Sequence, residues 1–175
     1  MNTPLTSNRT LLESDIDRLY QRLYSVQKRG LRYSLIRRGL AYLLKATVVL
    51  GSVAVASQRF PEYDQVFGIA TLAAYGADSV TSNLKRLVAM VEAGYAAKAN
   101  ALSVSSSYNR ELGVSIEQLN QKTITQQEFD AKKLLLQNST HTTLEGALKE
   151  IEQRIAANDV EALRQLKIEA EAKQQ

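Results

Sequence analysis

An all-α protein organised round a helical hairpin is expected from three features of this 175-residue chain. Two prolines and eight glycines are too few for the turns that an all-β chain of this length needs. Apolar residues recur at three- and four-residue spacings over long stretches, the period of a helix. Two uncharged runs, 46–58 and 65–77, flank a short polar turn that contains Pro61, which can open the second helix as a first-turn residue. A hydrophobic fraction of 45% argues against disorder and against a chain mostly embedded in lipid.

Taken in order, residues 1–14 are expected to be a flexible N-terminus, followed by a helical unit over 15–103 and a C-terminal helical region over 108–175. Ile16, Leu19, Leu23, Val26, Gly30, Tyr33 and Leu40 form the seam of an amphipathic helix, interrupted by Arg37, with Ser14 or Asp15 as its cap. That helix is strongly basic. Eight bases and no acid lie between Arg18 and Lys45, so a block of +8 sits inside a chain whose total is +4. Directly after it, GLAYLLKATVVLGSVAVAS carries only Lys45 and has the length of a bilayer span, and the interval from Asp64 to Lys85 does too. The expected spans are 39–58 and 64–85.

The flanks obey the positive-inside rule. Arg29, Arg32, Arg37 and Arg38 precede the first run, Lys85 and Arg86 follow the second, and Arg59 alone lies between them. Both termini are therefore expected in the cytoplasm, with these six bases against anionic lipid. Lys45 lies sixteen residues before Pro61 and Asp78 seventeen after it, so a hairpin brings them to similar depth. Ionisable residues at such a depth face a partner or a water-filled space. Lys45 and Asp78, with Thr71, Ser79 and Ser82, are the candidate pore-lining or intramembrane set; the plain alternative is that Lys45 snorkels and Asp78 caps a helix.

Beyond the hairpin, small residues in AGYAAKANAL permit close helix packing, and SVSSS at 103–107 reads as a break. Ser115, Thr125, Thr142 and Asn158 each stand three residues before Glu or Gln and mark starts for helices at 116–121, 126–138, 143–157 and 160–172. No phosphate-cradling glycine loop, nucleophile elbow or metal-binding helix motif is present. His141 reads as a surface or capping residue at a turn between helices rather than a base. No enzyme, cofactor or metal is expected.

The basic helix, the two apolar segments and the helix LKRLVAMVEAGYAAKANAL together resemble the SLATT family of two-transmembrane bacterial effectors, over roughly residues 15–165. The resemblance implies cytoplasmic termini, homo-oligomeric membrane-disrupting pores and activation by an upstream sensor protein or signalling nucleotide in antiphage defence. Locally, IEQLNQKTITQQEFDAKKLLL, residues 116–136, is similar to the SHOCT helical hairpin, with Thr123 where glycine is usual. That similarity implies assembly.

The leading expectation is thus a bacterial inner-membrane protein that homo-oligomerises and permeabilises the membrane. The alternative is a cytoplasmic, soluble all-α oligomer with the apolar runs as its core. Nucleic-acid binding through 18–38 ranks last, because the basic run leads straight into an apolar one.

Overall fold

The computed structural model describes residues 4–56 and 78–174, with side-chain surroundings over most of 11–46 and from 84 onward. Among them are four helices and no strand: α1 (Pro4–Ala56), α2 (Asp78–Asn120), α3 (Gln126–Ala157) and α4 (Val160–Ala172). The all-α expectation stands.

Several expected boundaries do not. The helix starts at Pro4, where a missing N–H costs nothing, so residues 4–14 are helical and Ser14 and Asp15 lie inside α1 rather than capping it. Asp15 instead sits 3.6 Å from Arg18 one turn on. The expected break at 103–107, and with it the boundary between 103 and 108, falls inside α2, where Ser103 is buried in helix packing. Helices expected to begin at Ser115 and Thr142 do not begin there. Their hydroxyls donate back to Glu111 O at 3.0 Å and Asn138 O at 3.0 Å, the bond such residues make inside a helix that is already formed.

The two turns among the described residues have full local chemistry. At the first, Lys122 adopts the left-handed conformation (φ 57) and the Thr123 N–H donates to Gln118 O at 2.9 Å, a Schellman-type end for α2. Thr125 then caps α3 in a complete capping box, its Oγ1 accepting from Glu128 N while Glu128 accepts from Thr125 N at 2.7 Å. Thr123 itself has no positive φ, so that position does not require the glycine usual in the similar hairpin. At the second turn Asn158 is left-handed (φ 53) and Asp159 caps α4 by accepting from Ala162 N at 3.1 Å.

Cross-helix contacts give the topology. Gly30 meets Gly94, and Tyr20 bonds to Ser105, so α1 and α2 are antiparallel. Gln137 Nε2 donates to Glu13 Oε1 at 2.8 Å and Arg22 pairs with Glu152 at 2.9 Å, so α3 runs parallel to α1. Arg164 meets Glu92 at 3.3 Å and Gln174 Nε2 donates to Ala99 O at 3.0 Å, so α4 runs parallel to α2. One core joins all four: Leu19, Leu23 and Val26 from α1; Ala89, Ala93, Ala96 and Ala97 from α2; Leu144, Leu148 and Ile151 from α3; Leu163 from α4. The alanines keep α2 central, because a helix without bulky side chains can approach its neighbours closely.

The closest approach is at two glycines. A Cβ at Gly30 would stand 2.6 Å from Gly94 Cα and 2.9 Å from Met90 O. Past this crossing α3 ends at Ala157, while α1 runs on to Ala56 and α2 starts back at Asp78; these outlying stretches are called the stalk, and on α1 every described side chain from Leu35 onward is exposed.

Candidate functional site

Along the bundle, α1 buries Leu19, Leu23, Val26 and Gly30 in one row, while its opposite side shows Ser14, Asp17, Arg18, Gln21, Tyr24 and Lys28 to water. At about 100° per residue, that outward side continues past Gly30 as Leu31, Arg32, Leu35, Ile36, Gly39, Tyr42 and Leu43. It becomes mostly apolar, through Leu31, Leu35, Ile36, Tyr42 and Leu43, with Arg32 among them. These five large side chains are 50–72% exposed, and Gly39 has nothing within 4 Å. The inward row meanwhile receives Arg37, the residue that interrupts the seam. Large apolar side chains exposed in this number, among the described residues, form an arc of surface that can meet a partner.

Every described base of this region is exposed: Arg29, Arg32, Arg37 and Arg38 on α1, Lys85 and Arg86 on α2, none in an ion pair among the described residues. Three bundle arginines contrast with them, whereas Arg110 is likewise exposed with no ion pair among the described residues. Arg22 takes Glu152, Arg154 takes Glu150 (3.4 Å) and Asp159 (3.5 Å), and Arg164 takes Glu92.

Where stalk meets bundle, a cleft of about 740 Å3 is lined by Val26, Arg29 and Tyr33 of α1, Arg86, Leu87 and Met90 of α2, and Glu152 and Ile155 of α3. The sequence groups Arg29 and Arg86 with four other bases at one end of the expected hairpin. The antiparallel crossing of α1 and α2 brings these two to one cleft, and α3, which no local signal places there, adds its third wall with Glu152 and Ile155.

Of the candidate pore-lining set, Lys45 lies in α1 and Asp78, Ser79 and Ser82 in the opening turns of α2, with side chains outside the described residues; Thr71 lies wholly outside them. The expected span 39–58 has most of its side chains outside the described residues, and 64–85 nearly all. Among the described residues no helix is long and apolar enough to cross a membrane.

Two further polar sites were not foreseen. Burial pushes the Tyr20 phenol above the ordinary tyrosine value, against the opposing bond to Ser105 and with Tyr108 adding to the rise. Beside it, Gln137 is buried, and its Oε1 has no hydrogen-bond partner among the described residues although Nε2 reaches Glu13. The surface carboxylate of Glu128 is held below its usual range by the Thr125 backbone N–H and hydroxyl. His141, expected at a turn, lies within α3 with Nδ1 4.0 Å from Glu145 one turn on. Among the described residues no cluster of acids and histidine could hold a metal.

Comparison with known protein families, with curated proteins and with solved structures returns no match. The functional reading therefore rests on the stalk and its base.

Proposed function

We propose that this is a small bacterial membrane protein whose α1–α2 stalk enters the inner membrane from the cytoplasmic side, homo-oligomerises there and permeabilises it, with the four-helix bundle as cytoplasmic sensor or gate. The observation that carries this reading is the set of large apolar side chains exposed on α1 past Gly30. Covering Leu31, Leu35, Ile36, Tyr42 and Leu43 releases about 1 kcal/mol for each half-exposed side chain, and each base near an anionic surface adds about 1 kcal/mol. The apolar arc thus supplies affinity comparable to that of the six bases, and the bases supply orientation. The register agrees: fifteen residues on from Gly30 is Lys45, and fifteen before Gly94 is Ser79, next to Asp78. This supports a Lys45–Asp78 pair at the stalk's interior, or a lumen that they and Thr71, Ser79 and Ser82 line. The resemblance to SLATT effectors points the same way and adds an antiphage role.

The test is membrane fractionation of expressing cells together with a potential-sensitive dye. The full chain is expected in the membrane fraction and to depolarise cells. L35E/L43E should move to the soluble fraction and lose toxicity while keeping its helical circular dichroism. Recovery of the unaltered chain wholly in the soluble fraction, as an oligomer, overturns the reading in favour of an assembly in which the same arc packs against a second copy.

A further inference from the structure

We infer that the cleft at the base of the stalk is a binding site for a phosphate ester carried on an apolar body, the headgroup of a phospholipid being the source that the proposed function supplies. The inference rests on that function only for the source of the ligand; the site itself follows from the cleft.

Arg29 and Arg86 enter it from different helices, and neither has a carboxylate among the described residues. The one acid on its wall, Glu152, is committed to Arg22 at 2.9 Å. The cleft therefore holds two positive charges that no carboxylate among the described residues neutralises, in a bundle whose Arg22, Arg154 and Arg164 are all paired. A tetrahedral phosphate presents oxygens in several directions, and two guanidinium forks and the Tyr33 hydroxyl, arriving from separate positions, can each take one. A carboxylate offers only two oxygens in one plane. Leu87, Met90 and Ile155 add apolar lining that a bare inorganic anion would leave unused. Position agrees as well: the cleft lies level with the change of α1's outward face from mostly polar to mostly apolar, where a headgroup would stand if the arc above it were in lipid.

The experiment uses the full chain and isothermal calorimetry with four probes: dihexanoyl phosphatidylglycerol below its micellar concentration, 1-naphthyl phosphate, inorganic phosphate and octanoate. In parallel, co-sedimentation is measured with vesicles of phosphatidylcholine and phosphatidylglycerol. R29Q/R86Q is compared with R37Q/R38Q, which removes the same charge outside the cleft. Loss of two charge-assisted contacts should weaken the short-chain lipid at least about tenfold in R29Q/R86Q, against less than about threefold in R37Q/R38Q. Y33F should lie between. Naphthyl phosphate binding as tightly as the lipid supports the site and names a soluble ester as an equal source. Equal losses in the two double variants mean diffuse attraction and overturn the site, as does octanoate or inorganic phosphate binding as tightly as the lipid. If the variant pattern appears but vesicles are not bound, the site stands and the membrane reading falls; if vesicles are bound without the pattern, the reverse holds.

Discussion

Gly30→Ala separates the crossing of α1 and α2 from every other property of these helices. In an exposed helix the change stabilises by about 0.5–1 kcal/mol, because glycine loses more backbone freedom on folding than alanine. At Gly30 the new Cβ meets Gly94 Cα at 2.6 Å, Met90 O at 2.9 Å and Gly94 N at 3.1 Å, where ordinary contact begins at 3.4 Å. All three obstacles are backbone, so no side chain can swing aside. The helices must part by about 1 Å, and such overpacking costs about 1–3 kcal/mol. The expected net effect is a loss of about 1–2 kcal/mol, read as a fall in Tm of roughly 2–8 °C for a chain of this size. Gly94→Ala should behave alike, since its Cβ stands 2.8 Å from Gly30 Cα. The double variant should cost less than the sum, because one separation relieves both clashes. Gly146→Ala, with nothing within 4 Å, is the reference and should raise Tm. Thermal unfolding followed by circular dichroism measures all four. A Gly30→Ala chain as stable as Gly146→Ala would refute the crossing.

Thr125→Ala removes the capping box and should cost about 1 kcal/mol in chemical denaturation, with faster amide exchange at the start of α3; no change in either would show the cap to be idle. Because the Glu128 pKa is lowered in the folded chain, the stability it contributes is full above its unfolded value and is lost as pH falls through the folded one. The pH dependence below about pH 4.5 should therefore flatten in Thr125→Ala, and an unchanged acid limb argues against the linkage. Gln137→Met removes a buried acceptor that has no partner, while Glu13 keeps Lys133 at 3.7 Å, so stability should hold or rise; a loss above about 1 kcal/mol contradicts this. Tyr20, raised by burial, stabilises below the ordinary tyrosine value and loses that contribution as pH rises through its folded pKa; ultraviolet titration should show a late-ionising phenol that Tyr20→Phe deletes.

What could be read along the chain was whatever closes within a turn or two of helix. The Thr125–Glu128 box and the α4 helix over 160–172 are such features, and both stand where expected, with Asp159 rather than Asn158 as the cap of α4. Ser115 and Thr142 carry the same pattern and mark nothing, because a hydroxyl inside a continuing helix has a carbonyl four residues back to bond. The seam Leu19–Leu23–Val26–Gly30 was legible from its period, and so was the basic block.

Helical content, caps and the charge step between residues 18 and 45 were thus determined by local sequence, since propensity, capping and net charge depend on near neighbours or on none. Tertiary packing decided the rest. Gly30 and Gly94 meet because antiparallel helices bring distant backbones together, Arg29 and Arg86 share a cleft because that crossing sets them side by side and α3 closes a third wall, and Leu31, Leu35 and Leu43 face outward because Gly30 fixes which side of α1 is inside. A helix's period says which residues share a face. Only its partner says which face is buried.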